Sequence, residues 1–174
     1  MIGVAGAAAL LLSIGLLCAR RIDTALRICA LQALFAAATL GAAGVAIALL
    51  AVALNGVMLP VAIARMNSAA PLAVRGSAFV SWAGATVLLV AAVTGLAKVG
   101  TDETVAVGVS VTLLGLLVIV ARSHTLAPAL GLLSSQNGVV LVAGAHPDVS
   151  LPAALAVAIP LIPALALADH WLRR

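Results

Sequence analysis

Residues 28–64 read ICALQALFAAATLGAAGVAIALLAVALNGVMLPVAIA, without one charged side chain. Wound into a single helix at about 1.5 Å per residue, the stretch would be roughly 55 Å long. The hydrocarbon layer of a bilayer is only about 30 Å thick. One helix is therefore too long, and a hairpin of two short spans is expected. Its turn falls in residues 41–48, where Gly41 and Gly44 weaken the helix. Asn55-Gly56 followed by Pro60 makes the second arm irregular, with a proline kink as the plainer reading and a loosened, water-lining helix as the other.

The rest of the chain repeats this pattern. Of its 174 residues 65% are hydrophobic and 8% charged, and the mean hydropathy is +1.31. A soluble domain carries about 25% charged residues, so the surface of this chain is suited to lipid. The first span covers residues 2–19. Its positive charge, Arg20 and Arg21, follows the apolar run, whereas a cleaved signal peptide carries its charge in front. Further spans are expected at about residues 77–97, 105–121, 126–145 and 150–168. The last contains Pro152, Pro160 and Pro163. The expected fold is an all-α integral membrane protein of about seven transmembrane helices, one polytopic domain over residues 1–174.

Charge orients it. With seven spans, Arg20, Arg21, Arg27, Arg65, Arg75, Arg122, Arg173 and Arg174 all fall on one side, and only Lys98 on the other. Positive loops stay in the cytoplasm, so the N-terminus is expected outside and the C-terminus inside, in a bacterial inner membrane. Removing the hairpin of residues 28–64 would put Arg20 and Arg65 on opposite sides and destroy this asymmetry. The net charge of +4 and pI near 10.6 do not indicate nucleic acid, because the basic residues sit at helix ends and form no single face.

Chemistry-bearing groups are sparse. No ionisable residue lies near the middle of a span, where a proton relay would need one. His124, His146 and His170 sit at helix ends, with His146 on the side opposite the other two, so they form no common metal site and suit interfacial solvation. Cys18 and Cys29 flank one cytoplasmic loop and read as small packing residues. No nucleophile triad or phosphate loop is present, so no catalytic, metal-binding or cofactor-binding residue is assigned. The polar residues at depth include Gln32, Asn55, Ser81, Thr86, Ser110, Thr112 and the run Ser134-Ser135-Gln136-Asn137-Gly138. Four consecutive polar side chains spread around a helix at about 100° per residue, so some must face protein or water. Gln32, Asn55, Ser134, Ser135, Gln136 and Asn137 are the candidates for a hydration path, a subunit contact or interhelical hydrogen bonding.

Leu113-Leu114-Gly115-Leu116-Leu117, then Arg122, then Ala129-Leu130-Gly131-Leu132-Leu133, then Gln136-Asn137-Gly138 resemble the signature of the smallest core membrane subunit of complex I (subunit K, or 4L). The longer resemblance is to component E of hydrogenase-four-type membrane arms, through Arg20 to Thr39 with Cys29 and Gln32, Pro60, Gln136-Asn137-Gly138 and Pro147-Asp148. It implies a four-span N-terminal part over residues 1–97 and a subunit-K-like three-span unit over residues 105–170. It also implies partners: antiporter-like membrane subunits and a membrane-anchoring redox subunit. Iron–sulfur clusters or a metal centre would belong to partner subunits, with no cofactor on this chain.

The departures from the family pattern concern charge. Gln136 stands where the family has a buried Glu, Asn55 lies near an expected Lys, and the acidic residues of the last span are absent. The implied function is a non-catalytic membrane subunit of a complex-I-like or hydrogenase-like complex that has lost its buried proton-path charges. The alternatives are a small subunit of a multi-subunit cation/proton antiporter and a stand-alone small transporter. A faint internal echo, Ala19-Arg20 with Gln32 against Ala121-Arg122 with Gln136, points to a duplicated unit.

Overall fold

A computed structural model describes residues 2–39, 61, 83–87, 89, 103–122, 124 and 126–145, and the described residues are all-helical. Four helices carry the architecture: α1 (Ile2–Cys18), α2 (Ile22–Ala38), α3 (Glu103–Ala121) and α4 (Ala127–Ala145). Residues 83–87 and 89 are also helical. The expected hairpin turn in residues 41–48, Asn55, Arg65, Arg75, the last span, His146, His170, Arg173 and Arg174 lie outside the described residues.

Three of the four helices match the expected spans to within two residues. The fourth, α2, starts at Ile22 and takes in most of what looked like a basic loop. Asp23 sits in its first turn, where a carboxylate complements the positive end of the helix dipole. Arg27 is exposed one turn further on, and its long stem can carry the charge back toward the interface. At the other end the Thr39 hydroxyl donates to the Ala36 carbonyl at 2.6 Å, closing the helix. α4 begins differently: His124 Nδ1 accepts from the Leu126 backbone N–H at 3.1 Å. This satisfies one of the donors a helix start leaves open.

α1 and α2 form one hairpin, and α3 and α4 a second. α1 packs beside α3, and α2 beside α4, so the helices close a four-membered ring. Arg122 reaches Leu17, and Gln32 meets Asn137. Both short connections therefore lie at one end of the ring, and the hairpins run side by side in the same direction. The core has two clusters. Leu16, Ile22, Leu26, Leu114, Leu130 and Leu133 belong to the one nearer the connections. Ala9, Ala36, Val111, Val140 and Leu141 form the one toward the open end.

Large apolar side chains lie on the outside of the bundle, and several polar ones lie within its largely apolar core. Val4 and Leu11 of α1, Leu31, Leu34 and Phe35 of α2, and Leu116 and Val120 of α3 are exposed, while Ser13, Gln32, Ser110, Ser134, Ser135, Gln136 and Asn137 are buried. α3 is long and apolar enough to cross a membrane, and Val4–Cys18 and Ala127–Val142 are shorter apolar helices.

The tightest packing joins α3 to α4. A Cβ placed on Gly108 would lie 2.8 Å from the Gly138 carbonyl oxygen, and one on Gly115 would lie 2.7 Å from that of Gly131. Gly108 and Gly115 are seven residues apart, as are Gly131 and Gly138. A seven-residue repeat keeps one seam facing a partner helix. Only hydrogen at these four positions lets the backbones come so close. Between the two glycine pairs, Ser135 Oγ donates to the Thr112 carbonyl at 3.1 Å. Thr112 Oγ1 donates in turn to the Ser135 carbonyl at 3.3 Å and to that of Gly108 at 2.9 Å.

Candidate functional site: a charge-free amide layer

Gln32 and Asn137 occupy corresponding places. Each lies ten residues beyond the first residue of its helix, about 15 Å from the connections. Both side chains are buried, at 0% and 1% exposure. Asn137 Nδ2 donates to Gln32 Oε1 and to the Cys29 backbone carbonyl, each at 3.3 Å. Gln32 Nε2 donates to Ser13 Oγ at 2.6 Å and to the Ala9 carbonyl at 3.3 Å. Ser13 Oγ donates to the same Ala9 carbonyl at 3.0 Å. The result is a hydrogen-bonded thread from α1 through α2 to α4, linking residues more than a hundred positions apart in sequence.

Every side chain in the thread is neutral at all accessible pH. A carboxamide or a serine hydroxyl can orient a proton donor but cannot store a proton. The thread therefore fixes positions without adding a titratable step.

The candidate residues divide into three groups. Gln32 and Asn137 are joined directly. Ser135 belongs to the α3–α4 seam and its partner is Thr112. Ser134 and Gln136 are buried, but Ser134 Oγ and both amide atoms of Gln136 have no hydrogen-bond partner, and Asn137 Oδ1 is likewise unpartnered. Gln136, where the family resemblance places a charge, is thus not part of the thread. Ser13 is part of it and carried no signal in the sequence. A lone serine within an apolar helix satisfies itself on the preceding turn and looks inert.

Arg122 departs from the expectation for a basic connection. Arg20, Arg21 and Arg27 are exposed, and Arg21 forms a 3.3 Å ion pair with Asp23. Arg122 is 4% exposed, and its Nη2 donates to the Leu17 carbonyl in the last turn of α1. A cation there satisfies a terminal carbonyl and complements the negative end of the helix dipole. Burial lowers the pKa of this guanidinium from its ordinary value, and the neighbouring Cys18 works in the opposite direction. Arg122 therefore ties the two hairpins together.

Cys18 is exposed, Cys29 is buried, and both are free thiols. Cys29 Sγ points at the Leu130 carbonyl at 3.9 Å. Among the described residues no group of three or more His, Cys, Asp or Glu is placed to hold a metal ion.

No family model, curated protein or solved structure matches the chain.

Proposed function

We propose that this chain is a non-catalytic, multi-pass subunit of a complex-I-like or membrane-bound hydrogenase-like redox complex in a bacterial inner membrane. Its role is to pack between antiporter-like subunits and the membrane foot of the redox arm. Electrons would be handled by iron–sulfur clusters or a metal centre in partner subunits.

The observation that carries this reading is a neutral, hydrogen-bonded amide layer midway along the helices of a bundle that is apolar both outside and in most of its core. A carrier coupled to protons or cations would need an ionisable group at that depth. The described helices offer amides and hydroxyls instead. The glycines of the two Leu-Leu-Gly-Leu-Leu-type motifs, Gly115 and Gly131, pack on each other, which favours treating the motifs as one unit.

Helix direction supports the seven-span arrangement. α2 ends and α3 begins at the end of the ring opposite the connections, as the seven-span arrangement requires. Arg20, Arg21, Arg27 and Arg122 then share the cytoplasmic side.

The test is gentle detergent extraction of the tagged protein from its native membrane, then native electrophoresis and mass spectrometry of the co-migrating chains. The reading requires antiporter-like subunits together with iron–sulfur or nickel-enzyme subunits. Antiporter subunits without redox proteins would replace it with the cation/proton antiporter, and a monodisperse lone species with a small transporter.

A further inference from the structure

Ser134 behaves unlike the other hydroxyl residues of the bundle. Ser13, Ser110 and Thr112 each donate to the carbonyl four residues earlier, at 3.0, 2.8 and 2.9 Å. Such back-bonding is the ordinary way for a hydroxyl in a helix to be satisfied. For Ser134 the corresponding carbonyl is that of Leu130, which receives the Cys29 thiol instead. Ser134 Oγ is left without a partner at 0% exposure.

Asn137 is three residues further on, so it lies beside Ser134 on the same side of α4. Both of its N–H directions are used, toward Cys29 and Gln32, whereas Oδ1 is unpartnered. One turn of one helix thus presents a buried hydroxyl, which donates and accepts, next to a buried acceptor. A buried polar atom without a partner costs about 1–3 kcal/mol. A ligand that removes this cost must be small enough for a helix interface, must donate to a carboxamide oxygen, and must also bond a hydroxyl. Water fits all three requirements, and buried water typically makes two to four such bonds. A bare cation fits less well, because the described residues place no carboxylate at this level of the bundle to offset its charge.

We propose that Ser134 and Asn137 hold a buried water molecule, donating to Asn137 Oδ1 and bonded to the Ser134 hydroxyl. The water extends the thread from Ala9, Ser13, Gln32 and Asn137 by one further step to Ser134. Gln136 lies about 100° around the helix from Asn137 and is not part of the site. The proposal rests on the geometry of α2 and α4 alone and holds whichever complex the chain joins.

The test is solid-state NMR of the full-length chain in lipid bilayers with 15N-labelled asparagine, reading magnetisation transfer from water protons to side-chain amides. The chain has three asparagines, Asn55, Asn67 and Asn137, and Asn137→Leu identifies the Asn137 signal by its loss. The expected result is water transfer to the Asn137 amide at depth, lost in Ser134→Ala and restored in Ser134→Thr, with its chemical shift still reporting hydrogen bonds to Gln32 and Cys29. An intact Asn137 signal without water transfer would overturn the proposal and mean that the Ser134 hydroxyl turns back to Leu130. Transfer that persists unchanged in Ser134→Ala would also overturn it. So would an Asn137 shift that depends on sodium concentration, which would assign the site to a cation.

Discussion

Removing either end of the Gln32–Asn137 contact should weaken the bundle by an amount that depends on the other end. Asn137→Ala deletes two bonds, to Gln32 Oε1 and to the Cys29 carbonyl. Gln32→Ala deletes the first of these and both of its own, to Ser13 and Ala9. Interhelical hydrogen bonds within membranes average about 0.6 kcal/mol and reach about 1.7 kcal/mol. Asn137→Ala should therefore lose about 1–3 kcal/mol and Gln32→Ala about 2–5 kcal/mol. The shared bond appears once in each single variant and only once in the double, so the two losses should not add. The coupling energy should lie at about 0.6–1.7 kcal/mol. Reversible unfolding in mixed micelles, followed by helical circular dichroism across the four proteins of the cycle, measures it. Additivity to within about 0.3 kcal/mol would refute the direct amide contact and with it the pairing of α2 with α4.

Other perturbations separate packing from polarity. Gly115→Ala and Gly131→Ala bring a methyl against the opposing backbone, and overpacking of this kind costs about 1–3 kcal/mol. Gly15→Ala meets only Ile28 Cδ1 at 3.7 Å and, by removing a helix-weakening glycine, should leave the melting temperature in detergent unchanged or raise it. Gln136→Leu removes two unpartnered buried atoms and should be neutral or stabilising, read as an unchanged or higher melting temperature. Arg122→Gln should lose about 1.5–3 kcal/mol, the range for hydrogen bonds to charged groups, because it gives up the charged contact with the Leu17 carbonyl. Differential scanning fluorimetry orders these variants against the parent chain.

The helices were legible because a chain read as lying in lipid obeys a simple rule. Long uncharged runs must be helical, and charges must mark their ends. The connection around Arg122 and the limits of α3 and α4 follow from this alone. The beginning of α2 was less legible. Charged residues in a first helical turn look like a loop unless the helix dipole and the reach of arginine are weighed, as Asp23 and Arg27 require.

The site was half legible. The run from Ser134 to Asn137 announced a polar cluster, but not which member would be used. Helix rotation decides that, and in a bundle apolar on every face no hydrophobic stripe fixes the rotation. The glycines at 108, 115, 131 and 138 fix it here. By turning Ser135 toward α3 they turn Asn137 toward α2 and leave Gln136 aside. Gln32 meets Asn137, one residue beyond Gln136, which the internal echo pairs with it.

The proposed arrangement is a bundle that crosses the membrane with apolar side chains outward and both short connections in the cytoplasm. Cysteine accessibility tests this most directly. In a background of Cys18→Ser and Cys29→Ala, single cysteines are placed at the exposed positions Arg20, Pro128 and Glu103 and treated with a membrane-impermeant maleimide. The account predicts labelling of Glu103→Cys in intact spheroplasts, and of Arg20→Cys and Pro128→Cys only after the membrane is opened. Labelling of Arg20→Cys and Glu103→Cys from the same side, or release of the protein from membranes by carbonate, would contradict it.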